Sequence, residues 1–361
     1  MSVLVTGGTG YIGSHTVKAL LEKGEHVIVL DNLSRGHAEI ARLLPGAEYI
    51  WGDTGDRWLL ENVFRNASFD AVIHFAADSL VGESMIHPSK YYENNVVKGI
   101  ALLEAARENG IQAFIFSSSA AVYGEPDQVP ITERCRPNPG NAYGATKLAF
   151  EEALRWYGSA YGFRSISLRY FNAAGADPDG LLGEDHTPET HLIPLVLEAA
   201  AGKRGSITVY GSDYPTPDGT CIRDYVHVTD LAVAHVQALK VLRNGQPTAV
   251  LNLGSGRGFS VQEVISAVQQ VTGCPVPSII GERRSGDPAV LVASAELARE
   301  ILDWKPAYDS LAVMIKTAWQ WDCRHPNGYA AVAAPGGSPS VHRTDFKDGY
   351  VGVPICLTTQ R

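Results

Sequence analysis

The feature that most constrains this chain is the run Thr6-Gly7-Gly8-Thr9-Gly10-Tyr11-Ile12-Gly13-Ser14-His15, which follows directly on a short apolar stretch. Gly8, Gly10 and Gly13 satisfy a GxGxxG spacing, and Gly7, Gly10 and Gly13 a GxxGxxG spacing. A Cβ at such positions would obstruct a tight turn and hold the backbone away from anything resting on the start of the next helix. Strand, glycine turn and helix in that order open a βαβ unit whose helix N-terminus offers N–H groups to a pyrophosphate. The second apolar run ends at Asp31, 18 residues past Gly13, where a carboxylate can accept a hydrogen bond from an adenosine ribose. The same charge repels a 2′-phosphate, so the expected cofactor is NAD rather than NADP. Asp53, in WGDTGD after the third run, is placed either to reach an adenine amino group or to stand as a solvated loop acid.

Further along, short apolar runs alternate with segments of helical period, the pattern of repeated βα units and a mostly parallel sheet. Strands are expected at Val3–Thr6, Val27–Leu30, Glu48–Trp51, Ala71–Phe75, Ala113–Phe116 and Ser165–Leu168. Helices are expected near 11–23, 57–66, 88–109 and 142–161, with Gly110 and Gly162 closing the last two. The fold class is therefore α/β, a Rossmann-like doubly wound parallel sheet with a smaller C-terminal substrate-binding lobe. The NAD-binding part should span 1–170, with later segments returning to it, and the lobe 171–330. From 171 onward the texture turns to loops rich in Gly, Pro, Asp and Thr, which suits a region built around a ligand. Helices resume near 192–203, 229–243, 260–272, 294–302 and 309–323, one of them opened by a Ser260/Glu263 capping box. Residues 331–361 show neither period nor caps and read as an irregular tail.

A second constellation is chemical. Ser119 ends the apolar run FIFSSS, and Tyr143 and Lys147 form a YxxxK pair on the next long helix. That spacing sets phenol and ammonium one turn apart on one face. A phenol with an ordinary pKa of about 10 is a poor base at neutral pH. A nearby ammonium and an oxidised nicotinamide both favour its phenolate. Lys147 can also hold the nicotinamide ribose, and Ser119, at a strand's C-terminal end, can bond the reacting hydroxyl.

Composition narrows the partners. With 45% apolar and 19% charged residues the chain can bury a substantial core, and a net charge of −9 argues against nucleic acid or an anionic membrane surface as partner. Cys135, Cys221, Cys274, Cys323 and Cys356 are scattered and form no CxxC pair, so reduced thiols are expected rather than disulfides or a metal site. The fold starts too early for a secretory leader, and no apolar run is long enough to span a bilayer. A soluble, cytoplasmic enzyme acting on a small molecule is the expectation.

In order along residues 2–323, TGGTGYIGSH, VIHFAADSLVGES, FIFSSSAAVYGE, NAYGATKLAFE, LRYFNAAGA, ETHLIP, GTCIRDYVHVTDLA, NLGSG and RRSGDPA resemble the UDP-glucose 4-epimerases of the extended short-chain dehydrogenase type. The resemblance implies reversible C4 epimerisation of UDP-glucose and UDP-galactose through a 4-keto intermediate, with tightly bound NAD. It implies cofactor contacts from Gly7, Gly10, Tyr11, Ile12, Gly13, Asp31, Asn32, Asp53, Phe75, Asn94, Tyr143, Lys147 and Tyr170. It implies substrate contacts from Ser119, Tyr143, Asn172, the His191-Leu192 segment, Arg223, Arg284 and Asp287, the arginines facing the diphosphate and the acid a ribose. Leu291 falls where the family lines its sugar pocket. It further implies a homodimer built on the helices of residues 90–109 and 143–161.

Read without the family, Arg223 beside Asp224, and Arg283 and Arg284 near Asp287, are ordinary surface ion pairs. His74 and the pair Tyr91-Tyr92 are packing residues. The chain also departs from the pattern: Ser79 stands where some bacterial members carry a lysine, and the ending after 324 differs. A pentose or uronate 4-epimerase would use the same machinery, and a catalytically silent NAD-binding regulator would share the fold. A 4,6-dehydratase would need an Asp-Glu acid pair where Ala120-Ala121 follow Ser119.

Overall fold

The computed structural model describes residues 1–284, 287–331 and 355–356. Its first half alternates strand and helix through β1 (Ser2–Thr6), α1 (Tyr11–Glu22), β2 (His26–Asp31), α2 (Ile40–Leu43), β3 (Glu48–Trp51), α3 (Arg57–Asn66) and β4 (Phe69–His74). It continues with α4 (Val81–Ile86), α5 (Pro88–Tyr92), a π-helical turn (Glu93–Val97), α6 (Lys98–Glu108), β5 (Ala113–Ser119), a 3-10 turn (Ala120–Val122), α7 (Ala142–Tyr161) and β6 (Arg164–Tyr170). The second half holds β7 (Asn172–Ala174), α8 (Leu192–Ala200), β8 (Ile207–Tyr210), β9 (Ile222–His227), α9 (Val228–Arg243) and β10 (Ala249–Leu253). After these come β11 (Gly258–Ser260), α10 (Val261–Thr272), β12 (Ser278–Gly281), β13 (Val290–Leu291), α11 (Glu296–Leu302), α12 (Leu311–Arg324) and a two-residue β14 (Ile355–Cys356).

Seven strands pair in parallel in the order β10-β6-β5-β4-β1-β2-β3, and β14 pairs antiparallel with β3. A parallel sheet is covered on both faces, so its strands read as unbroken apolar runs. In β1 the alternation sorts them. Val3 and Val5 join the layer containing Val17 and Leu20 of α1 and Leu231 and Ala234 of α9. Leu4 joins the opposite layer with Leu60 of α3, Leu102 of α6 and Phe150 of α7. The chain leaves β1 toward β2 on one side and returns as β4 on the other, so a crevice opens at their C-terminal ends.

All six expected strands are present, within one to three residues at their ends, β5 running three residues further than expected. The helix expected over 88–109 is instead interrupted by the π-helical turn, a local insertion that this class of helix uses at sites. The capping box opens α10: the Ser260 hydroxyl accepts from Glu263 N at 3.0 Å and Ser260 N donates to Glu263 at 2.8 Å. The smaller pairings β11-β9-β13, β7-β9 and β8-β12 lie between the helices expected after residue 171, in stretches rich in Gly, Pro, Asp and Thr where no strand is expected. The expected irregular tail lies outside the described residues, apart from residue 331 and β14.

One buried ion pair ties α7 to the sheet behind the catalytic candidates. Arg169 donates to Glu151 through Nε at 2.9 Å and through a terminal nitrogen at 2.5 Å, and to the Tyr123 hydroxyl at 2.9 Å. Ser118 donates to the same carboxylate at 2.5 Å. Both charged side chains are 5% exposed, so removing one strands the other in low dielectric. Arg169→Met should therefore lower the unfolding free energy by about 3–5 kcal/mol in urea titrations, and adding Glu151→Leu should recover much of the loss.

Candidate active site

The groove at the sheet crevice is made by absence of side chains. Gly7 turns at φ +70°, and a Cβ there would stand 2.6 Å from Ala76 N. At Gly13 a Cβ would stand 2.1 Å from the Gly7 carbonyl oxygen, so α1 can begin this close to β1 only with glycine. Gly10 differs: a Cβ there would meet only Gly7 O at 3.5 Å. Its bareness serves the open groove rather than the protein's packing. Gly10 is also the N-cap of α1, whose first N–H groups have no intrahelical acceptor.

Gly7, Gly10, Asp31, Asn32, Phe75 and Asn94 line this groove, whose empty volume is about 530 Å³, together with Ser34, Arg35, Gly36, Gly52, Thr54, Ala76 and Ala77. Asp31 closes its floor, accepting from Thr9 N at 3.0 Å and Leu33 N at 2.9 Å, which ties the glycine loop to the end of β2. Asp53 is drawn to the rim: Lys98 donates to it at 2.7 Å, Asn32 at 2.9 Å and Gly55 N at 2.8 Å. Burial opposes its ionisation but those donors outweigh it, holding the carboxyl below its ordinary value. Asp53 is thus neither a free loop acid nor a groove-lining one; its neighbours Gly52 and Thr54 line the groove instead.

Asn94 and Asn95 sit on the π-helical turn. Asn95 exchanges hydrogen bonds with the backbone of Asp78 at 2.8 and 2.9 Å and donates to Thr146 at 3.1 Å. Thr146 lies between Tyr143 and Lys147 on α7, so the turn couples the groove to the YxxxK pair. Lys147 donates to the Ser117 carbonyl at 2.8 Å, and its ammonium lies 5.7 Å from the centre of the Tyr143 ring. Ser119 closes β5, where its hydroxyl accepts from Ala121 N at 3.1 Å. Tyr170 ends β6 with its hydroxyl 2.5 Å from Ser117 Oγ.

The electrostatics of the pair are set by burial. Burial raises the Tyr143 phenol above its ordinary pKa, opposed by a hydrogen bond with Ser119. Burial likewise drives Lys147 down to about 7, with only the Glu151 charge working against it. Lys147 alone therefore does not produce a phenolate. Two buried groups each resist their charged form, and an added positive charge beside the phenol is needed to release its proton.

The substrate candidates gather around β9 and β13. The Asn172 amide donates to Asp224 O at 2.8 Å. Arg223 is ion-paired with Asp287 rather than with Asp224, and Arg283 binds Asp213 at 2.6 Å. Arg284 lies over the Tyr210 ring at 4.0 Å. Asp224 is fully buried; it accepts from Ser255 N and Oγ at 2.9 and 2.6 Å and from Gly256 N and Ala293 N at 3.1 Å each. It pins the loops beside Arg223 and is no surface ion pair. Leu291, in β13, packs with Ala120, Tyr123 and Phe171, next to Ser119. The His191 imidazole meets Glu184 at 2.5 Å at the start of α8, and Leu192 is that helix's first residue.

Tyr11, Ile12 and Gly13 stand beside the groove rather than in it. The Tyr11 hydroxyl donates to Gly175 O at 2.5 Å, joining the glycine turn to the second half of the chain, and Ile12 packs into the core. His74 is a satisfied core residue, bonded to Thr6 at 2.7 Å and held neutral by burial at a pKa of about 3. Tyr91 is buried, its hydroxyl donating to Leu80 O at 2.7 Å. The sequence reading missed Arg35, which lines the groove and donates to Thr187 O at 3.0 Å. Its position four residues after Asp31 was the available signal.

Comparison with known proteins agrees with this geometry. The profile described as "NAD dependent epimerase/dehydratase family" matches residues 3–254. A UDP-glucose 4-epimerase of Halalkalibacterium halodurans is 54% identical over 330 residues, which is 91% of this chain and 98% of the relative. The crystal structure of UDP-glucose 4-epimerase from Brucella ovis in complex with NAD is 49% identical with a TM-score of 0.86, covering 88% of this chain and 97% of that one. That of the Bifidobacterium longum enzyme in complex with NAD+ and UDP is 40% identical, also with a TM-score of 0.86, covering 91% and 100%.

The two kinds of glycine separate experimentally. Gly13→Val should cost about 3 kcal/mol or more of stability, since a backbone carbonyl cannot yield to the added carbon. Gly10→Val should cost only about 1 kcal/mol as a poorer helix cap yet abolish retention of dinucleotide, scored by what denatured protein releases.

Proposed function

The chain belongs to the NAD dependent epimerase/dehydratase family, and from that premise we propose that its groove and YxxxK pair carry out C4 epimerisation of UDP-hexoses. The protein interconverts UDP-glucose and UDP-galactose and uses NAD, as its relatives of about 50% identity and their NAD-bound structures do. The observation that carries the site assignment is the linkage from the bare Gly10 groove, through Asn95 and Thr146, to Tyr143 and Lys147. When bound, NAD supplies a hydride acceptor that also returns the hydride, so no external redox partner is consumed.

The chain's own groups do the rest. Gly7, Gly10, Asp31, Asn32, Phe75 and Asn94 hold the dinucleotide, with Asp31 toward the adenosine ribose and Lys147 toward the nicotinamide ribose. Tyr143 takes the O4 proton as the C4–H bond breaks, and Ser119 bonds the oxygen as it becomes a carbonyl. Burial raises the phenol's pKa, and a cation bound beside it would favour loss of its proton. Arg223, Arg284 and Asp287, with Asn172 and the His191-Leu192 segment, grip the uridine diphosphate while the 4-ketose turns. Once the ketose has turned, Tyr143 would return its proton to O4 as the cofactor supplied hydride to the other face. Residues 171–330 serve as the substrate-binding lobe, and Leu291 beside Ala120 bounds the sugar.

Two copies are proposed to pair through α5 to α7. Met85, Ile86, Val97, Trp156 and Tyr161, on or beside these helices, are all more than half exposed, an apolar set that a symmetric four-helix contact would cover. The cytoplasm is proposed as the compartment, supported by the free state of Cys135, Cys221, Cys274 and Cys323. No helix among the described residues is long and apolar enough to cross a membrane.

Incubated with UDP-galactose deuterated at C4, the protein should yield UDP-glucose that keeps the label; loss of deuterium to solvent would refute a captive hydride. Tyr143→Phe should slow epimerisation by about 10²–10⁴-fold while UDP-sugar affinity stays nearly unchanged. UDP-N-acetylglucosamine, UDP-xylose and UDP-glucuronate tested alongside measure what Leu291 admits. Sedimentation should find a dimer that Trp156→Glu converts to monomer, and a monomeric wild type would remove the pairing.

A further inference from the structure

Four potential metal ligands converge in the loop between β7 and α8, in the sequence Glu184-Asp185-His186-Thr187-Pro188-Glu189-Thr190-His191. One donor atom from each of Glu184, His186, Glu189 and His191 lies within 4.8 Å of all the others. Ordinary ion pairing would match each imidazole to its own acid. Here both imidazoles turn Nδ1 toward the same two carboxylates: His186 to Glu184 at 3.2 Å and Glu189 at 3.6 Å, His191 to Glu184 at 2.5 Å and Glu189 at 3.4 Å. Nitrogen and oxygen ligands about 2.0–2.2 Å from a tetrahedral dication stand about 3.3–3.6 Å apart. The two separations to Glu189, one to each of its oxygens, match that edge, and the His186–Glu184 one falls just short of it. On binding an ion the His191–Glu184 hydrogen bond would open by roughly 1 Å and Glu189 would present one oxygen.

We propose that Glu184, His186, Glu189 and His191 form a tetrahedral site for a first-row transition dication of the Zn2+ class. Two carboxylates and two neutral imidazoles around a dication sum to zero charge, which favours an ion held between buried carboxylates, with the His186 and His191 side chains 25% and 50% exposed. The carboxylate side chains are 7% and 9% exposed. An N2O2 donor set with imidazole suits Zn2+, whereas Mg2+ prefers six oxygens and keeps its waters.

The loop's setting gives the ion a structural task. Thr187 O receives Arg35 from the nucleotide groove at 3.0 Å. His37 lies 2.8 Å from Asp185 O, and Tyr329 N donates to the Asp185 carboxylate at 2.9 Å. On its far side the loop runs straight into α8. An ion fixing both ends of residues 184–191 would lock the groove to the second half of the chain without entering the proposed chemistry.

Purified full-length protein carrying its dinucleotide would be dialysed against a chelator, reloaded with Zn2+, Co2+ or Mg2+, desalted and measured by elemental analysis. One Zn2+ per chain should remain and no Mg2+. The Co2+ form should show the intense visible bands of tetrahedral coordination, and Zn2+ should raise the melting temperature by about 3 °C or more. His186→Asn and Glu189→Gln should each weaken Zn2+ at least about tenfold, with melting curves of the metal-free variants confirming that they fold. Wild type that keeps no Zn2+, an octahedral Co2+ spectrum, or folded variants that bind as tightly as wild type would overturn the proposal.

Discussion

The contact between Gly13 and the carbonyl of Gly7 is the constraint from which the rest of the molecule is laid out. Because no carbon intervenes there, α1 starts directly over the end of β1 and its unpaired N–H groups face the crevice between β1 and β4. Asp31 is drawn in to hold Thr9 N, so the carboxylate proposed to select the cofactor also fixes the glycine loop. Tyr11, on the first turn of α1, reaches across to Gly175 O and aligns the second half of the chain with the groove. A single added methyl at Gly13 would therefore disturb helix, groove and inter-half alignment together.

The electrostatic design of the catalytic corner is a pair of refusals. Burial makes Tyr143 reluctant to lose a proton and Lys147 reluctant to keep one. The lysine's partner is a neutral carbonyl, Ser117 O, and the nearest full negative charge, Glu151, is already committed to Arg169 and Ser118. Had Glu151 been free, it would have anchored Lys147 as a permanent cation. Its engagement by Arg169 leaves the lysine responsive to what binds, and explains why a buried ion pair outside the reaction sits one turn behind it on α7.

The large sheet was legible because its strands are long, apolar and flanked by glycine, and the YxxxK pair because both members fall on one helix. What escaped the sequence did so for identifiable reasons. Asp224 looked like a partner for adjacent Arg223, yet alternation along β9 sends the two side chains to opposite faces, one into a net of backbone donors and the other to Asp287. The π-helical turn at 93–97 continues a helical pattern in the sequence, and only the pull of Asn95 on Asp78 and Thr146 marks the bulge. Arg35 follows Asp31 by four residues, and the folded loop is what brings it over the groove.

The loop of residues 184–191 is the extreme case. As sequence it is polar, proline-bearing and without period, and its spacing of acids and histidines fits no familiar zinc signature. In three dimensions it touches groove-lining Arg35 and the half-buried ring of Tyr11 and runs into the start of α8. An enzyme that must release neither cofactor nor ketose between two hydride transfers needs its two halves held in register through that interval. Side chains that converge where the halves meet are where such holding acts with the least material. The chemistry of the corner and the packing of the seam thus answer one requirement, retention, by separate means.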